Sequence, residues 1–193
     1  MGLDSVELVY DIEKYFGITI PDHQSEQITT IHLMVEAVAG HLNVVENGME
    51  LRNKIFEKIK SALPASDESK KPVQPEDLLI DHLAFDKVRW RIFQIALDLE
   101  APKPEIIQAK KTNKNRIISF FSWQPMYDPA MITMEQFIAA VCAMNYKKLI
   151  DNKNIKSKYE IYIAVAALTV EKSGVEYYEI GPEKSFVNDL GID

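Results

Sequence analysis

The sequence predicts an all-α protein built as helical bundles, and two observations carry that expectation. Apolar residues recur at helical spacing in six separate stretches of the chain. Several of these stretches open on threonine or close on glycine or proline, the residues that start and stop helices. One short segment, "RIISFFSW" at 116–123, reads as a strand, and an aromatic loop fits it equally well.

Each element has its own reason. In "SVELVYDIEKYF", Val6, Val9, Ile12 and Phe16 share one helical face, while Asp4, Glu7, Asp11 and Lys14 line the opposite side. Gly17 ends that helix. "ITIPDHQSEQ" is an irregular connection with Pro21-Asp22 as a turn signal. "TTIHLMVEAVAGHL" opens on a threonine cap and repeats apolar residues at Ile31, Met34, Val35 and Val38. "MELRNKIFEKIKSAL" forms the next helix, stopped by Pro64, and the polar stretch 64–77 with its three prolines is a loop. A helix over about 84–100 follows, closed by "APKP". "TMEQFIAAVCAMNYKKL" is a helix with a threonine cap. "DNKNIKSK" at 151–158 reads as a linker, "YEIYIAVAALTVEKSG" as an apolar helix ended by Gly174, and 175–193 as an extended loop.

Composition narrows the function classes. A chain of 193 residues suits one or two domains with a real core. No apolar run approaches the ~20 residues of a membrane span, and the N-terminus lacks the layout of a signal peptide. The single cysteine, Cys142 in "FIAAVCAM", reads as a buried core thiol. The protein is therefore expected to be cytoplasmic. Charge is uneven: residues 1–50 carry a net −8, residues 51–150 a net +4, and residues 151–193 a net −3. With −7 overall, nucleic acid is not expected as the main partner. His23, His32, His41 and His82 show no metal-ligand spacing with one another or with Cys142. There is no phosphate-cradling glycine motif and no nucleophile elbow, so an enzyme is not expected.

The two ends carry a more specific signal. "VELVYDIEKYFGITIPD…EQITTIHLMVEAV" resembles the second half of an acyl carrier protein, and "GPEKSFVNDLGID" resembles the first loop of the same family, which runs into the serine that bears 4′-phosphopantetheine. The resemblance covers about 45 residues at the start and about 35 at the end. It implies a non-catalytic carrier that holds acyl groups as thioesters on a flexible arm. A serine at a helix N-terminus suits that arm, because orphan N–H groups and the positive helix end favour its phosphodiester. The expected partners are a phosphopantetheinyl transferase and acyl-handling synthase enzymes, met through acidic residues that steer docking. Asp4, Glu7 and Asp11 form such a stripe by geometry, and the resemblance adds Glu13.

The attachment serine has two readings. Ser5 follows an aspartate, as the family serine does. The family spacing to the phenylalanine of "FGI", however, runs three residues longer than the eleven from Ser5 to Phe16, and counting it back lands on Gly2. On that register Ser5 is a first-turn helix serine and the sequence is a carrier cut at the attachment position.

The middle repeats the carrier order weakly: helix, long loop, helix, last helix. It reads as a second, degenerate carrier-like domain, with Phe85 where a serine would fall. "KVRWR", with Lys87, Arg89 and Arg91 beside Trp90, reads as a basic face that snorkels around a packed tryptophan, or as a seat for an acidic helix or a phosphate. Trp123 is expected to pack. The expected organisation is thus one carrier-like domain from residues 1–45 plus 158–193 and another from 50–150. Ile161, Val165 and Leu168 are expected to contact Val9, Ile12 and Val35, within one chain or through a helix-swapped dimer. The expected function is acyl carriage in fatty-acid or polyketide-type biosynthesis. The alternative is an interaction module that keeps the fold without the arm.

Overall fold

The computed structural model describes residues 3–63, 72–83, 87–102 and 131–192, and among them every regular element is helical. The Gly2 and Phe85 slots, Trp123 and "RIISFFSW" lie outside the described residues. Helix α1 (Leu3–Phe16) buries Leu8, Ile12 and Phe16, four residues apart. Val6, expected on the core face, is instead 52% exposed, because the Leu8–Ile12–Phe16 row takes the inward side. Gly17, at φ +65°, closes the helix in the left-handed conformation that glycine adopts without strain. A single turn, α2 (Asp22–Ser25), follows where an irregular connection was expected. In α3 (Ile31–Leu42), Thr30 Oγ1 accepts from the Leu33 N–H at 3.3 Å, the cap the sequence announces.

The middle of the chain supplies α4 (Glu50–Ala62), α5 (Lys87–Leu97) and α6 (Met134–Met144). Thr133 and Gln136 form a full capping box at the head of α6. The helix expected to run through "NYKKL" breaks at Asn145 and resumes as one turn, α7 (Tyr146–Leu149). The break has a cause in the side chain of Asn145. Its amide donates to the carbonyls of Glu100 and Val141, each at 2.8 Å, and its oxygen accepts from the Glu100 N–H at 3.1 Å. Trp90, Phe93 and Phe137 pack ring to ring, with centroids 5.6–6.3 Å apart, and weld α5 to α6.

Helix α8 (Lys158–Ser173) is apolar on most of its circumference and is buried accordingly, from Ile161 to Thr169 with Tyr162 alone half-buried. It packs against α1 and α3 and also against α6 and α4. Ile161, Val165, Leu168, Ile12 and Val35 join one buried cluster, with Val9 packed on its margin. "DNKNIKSK" is pinned at both ends: the Asn152 amide donates to the Tyr15 carbonyl at 2.8 Å, and the Lys158 N–H donates to the Glu46 carbonyl at 2.8 Å. The tail beyond α8, expected as a plain extended loop, contains a 3-10 turn at Tyr177–Glu179, where Tyr178 is buried and its hydroxyl donates to the Pro102 carbonyl.

Two loops in this fold share one hydrogen-bond register. In the tail, Phe186 N–H donates to the Thr29 carbonyl, while Ile31 and His32 donate to the carbonyls of Lys184 and Pro182. In the middle, Leu79 N–H donates to the Ile132 carbonyl, while Met134 and Glu135 donate to the carbonyls of Asp77 and Pro75. An isolated antiparallel bridge sits at the same place in each, Thr30 with Ser185 and Thr133 with Leu78. Each loop thereby satisfies the orphan donors at the head of the helix that follows the bridge, α3 or α6.

Candidate functional site

The tail's staple onto α3 brings the last described residues beside the first turns of α1. Phe186, Leu190 and Ile192 are buried there. Asp189 Oδ2 accepts from the Ser185 N–H at 2.8 Å, and the Ile192 N–H donates back to the Phe186 carbonyl at 2.8 Å, a return that Gly191 permits at φ +66°. Under the head of α1 lies a cavity of about 310 Å³, lined by Ser5, Leu8, Val9, Met34, Phe186 and Ile192 among others. That volume stands at the lower end of small-molecule sites, and the walls are largely apolar.

Each residue singled out from sequence has a defined place. Ser5 sits in the first turn of α1, half-buried on the rim of the cavity. Asp4 and Glu7 are exposed and Asp11 half-exposed on the outer arc of the helix. Glu7 forms an ion pair with Lys172 of α8. The Lys172 ammonium is held above its ordinary range chiefly by that hydrogen bond, which outweighs desolvation, with help from the charges of Glu7, Asp11 and Asp4. The acidic stripe thus carries one cation in its midst. The Oε1 of Glu13 accepts the Ile20 N–H at 2.6 Å and braces the turn after α1.

Cys142 is fully buried, and desolvation pushes its thiol up to about 12, which leaves it a core residue. Among the described residues no cluster of histidine, cysteine and carboxylates is arranged to hold a metal, and no helix is long and apolar enough to cross a membrane.

Sequence reasoning missed the cavity and the register that the tail shares with residues 75–79. A signal was present: "PEKSF" at 182–186 and "PEDLL" at 75–79 both open on Pro-Glu. Leu8 and Ile12 of α1 match Phe93 and Leu97 of α5 in spacing and burial.

Comparison with known proteins bears on part of the chain. Over 40 residues, 21% of this chain, it is 46% identical to an acyl carrier protein of Rubrobacter xylanophilus, of which that stretch is 49%. Over 40 residues it is also 46% identical to the mitochondrial acyl carrier protein 2 of Arabidopsis thaliana, of which that stretch is 32%. The chain thus spans about half or less of the length of these curated relatives, and it contains an acyl-carrier-like region. No protein-family model matches the chain, and no solved structure does.

Proposed function

We propose that the protein carries acyl intermediates on 4′-phosphopantetheine for fatty-acid or polyketide-type synthesis, without catalysing a reaction itself. In this reading one carrier-like unit is assembled in permuted order from α8, the tail, α1 and α3. The observation that supports it is the meeting of the two segments: Ile192 and Ser5 line the same cavity, and the tail's carbonyls cap α3. The residues there suit a group hung at the head of α1. The positive end of the helix dipole favours a phosphate, and the apolar cavity beneath offers shelter to a hydrocarbon chain. Asp4, Glu7 and Asp11 would meet the phosphopantetheinyl transferase and the synthase enzymes, in the cytoplasm. A second, degenerate unit formed by α4, the 75–83 loop, α5 and α6 completes the reading, supported by the shared hydrogen-bond register.

The test is intact-mass spectrometry of protein produced with a phosphopantetheinyl transferase. A phosphopantetheine adduct lost in Ser5→Ala assigns the arm to Ser5, and an adduct that persists in that variant moves it elsewhere. Because Ser5 is half-buried and spacing puts Gly2 in its slot, a second reading has its own support: an interaction module that kept the fold without the arm. Complete absence of an adduct in the parent favours that reading and ends the first.

A further inference from the structure

Helix α5 is the positional counterpart of α1, and its surface has the opposite sign. Its inward row is Trp90, Phe93 and Leu97. The outward face presents Val88, Ile92 and Ile95, which are 68%, 60% and 69% exposed, at positions i, i+4 and i+7 of one stripe. Lys87 and Arg91 fence that stripe on one side and Arg89 on the other, and the helix contains no acid. Three large aliphatic side chains in a row, so exposed and so fenced, form a seat and not a scatter of surface residues.

A surface of matching chemistry exists on the same molecule. The outer arc of α1 exposes Val6 (52%) and Tyr10 (60%) beside Asp4, Glu7 and Asp11. At the positions where α1 has Asp4, Glu7 and Asp11, α5 has Arg89, Ile92 and Ala96. Within one chain the two faces do not meet, since both remain exposed while α1 packs on α8 and α5 packs on α4. We propose that the α5 face is a docking site for α1 of a second copy of this chain, Val6 and Tyr10 lying on the Val88–Ile92–Ile95 stripe with Asp4 and Asp11 of α1 against Lys87 and Arg91. The contact is head-to-tail. It closes into a dimer with two such interfaces if the rotation is two-fold, and runs on as an open chain if it is not. It rests on exposure and charge, and it holds whether or not an arm is attached.

The experiment is sedimentation equilibrium with the full chain at about 10 mM and about 1 M salt, where the Debye length falls from roughly 30 Å to roughly 3 Å. Self-association is expected at low salt, weakened about tenfold or more at high salt. The variants K87E/R91E and D4K/D11K change only exposed or half-exposed side chains, and circular dichroism verifies that each is folded. Each alone is expected to lose at least about tenfold in association, because like charges then face each other across the contact. Mixed in equal amounts, the two are expected to associate as the parent does, because both interfaces regain opposite charges. A parent that remains monomeric at every concentration and salt overturns the proposal and leaves the stripe to residues 103–130 or to an acidic helix of another protein. Association that neither variant weakens, or that the mixture does not restore, overturns it as well.

Discussion

Replacing Phe186 by alanine is the sharpest perturbation of the junction between tail and helices. Phe186 is 5% exposed, so the substitution removes a nearly complete aromatic burial. Such truncations cost about 3–5 kcal/mol. The side chain already borders a cavity, and part of its packing is therefore missing in the parent. The lower figure, about 3 kcal/mol, is the appropriate expectation. The staple should open before the rest of the fold, because its hydrogen bonds run between the tail and residues 29–32 and depend on the Phe186 anchor. At about 1.4 kcal/mol per factor of ten, amide exchange at Ile31, His32, Phe186 and Ile192 should quicken roughly a hundredfold. Hydrogen exchange read residue by residue by NMR measures this directly, with the amides of Met134 and Glu135 in the middle loop as internal controls. Parental exchange rates at these four amides, or equal acceleration at the two controls, would refute the argument that Phe186 fastens these segments together.

Three further outcomes follow from buried polar groups. Asn145→Ala should lower stability by about 2–3 kcal/mol in urea denaturation, since it orphans the Glu100 N–H and C=O and a bond to the Val141 carbonyl; a loss under about 0.5 kcal/mol would contradict that account. Alkaline pH should also destabilise the fold. Burial, helped by Tyr146 and Glu160, pushes the Tyr15 hydroxyl up to about 12 from its ordinary 10.0, and burial lifts Tyr162 to about 12 as well. With the folded values raised, stability is complete below pH 10 and drains away between 10 and 12, where the unfolded chain releases protons that the folded one retains. The Tyr15 hydroxyl is buried without a hydrogen-bond partner, so Tyr15→Phe should leave neutral-pH stability unchanged or raise it by about 1 kcal/mol, and should shrink the alkaline loss; a midpoint that falls at neutral pH would reveal a partner for that hydroxyl.

Local signals in the sequence were sufficient for the main helices. Thr30 and Thr133 cap α3 and α6 as their side chains dictate, Gly17 and Gly174 end α1 and α8, and the apolar run of α8 announces a helix buried on most sides. These features depend on neighbours within one turn, which is the range over which a linear pattern speaks. The candidate site was legible only in part. The acidic stripe and Ser5 could be read from helical spacing, whereas the tie of Glu13 to Ile20 and the salt bridge of Glu7 to Lys172 could not, since each depends on where a turn or a distant helix is placed.

What the sequence by itself determined is therefore the set of helices, their caps and the sign of each surface. Only the tertiary structure decided that Val6 turns outward, that Asn145 interrupts a helix, and that a loop near residue 184 completes the head of a helix near residue 31. Val6 yields to the Leu8–Ile12–Phe16 row, and the other two share one physical reason. Buried backbone donors and acceptors must be satisfied wherever the folded chain brings a partner, and here the partners stand 45 residues apart for Asn145 and Glu100 and farther still for the tail and α3. Helical periodicity carries no record of such distances, and so the seat on α5 and the cavity under α1 emerge only when the helices are packed.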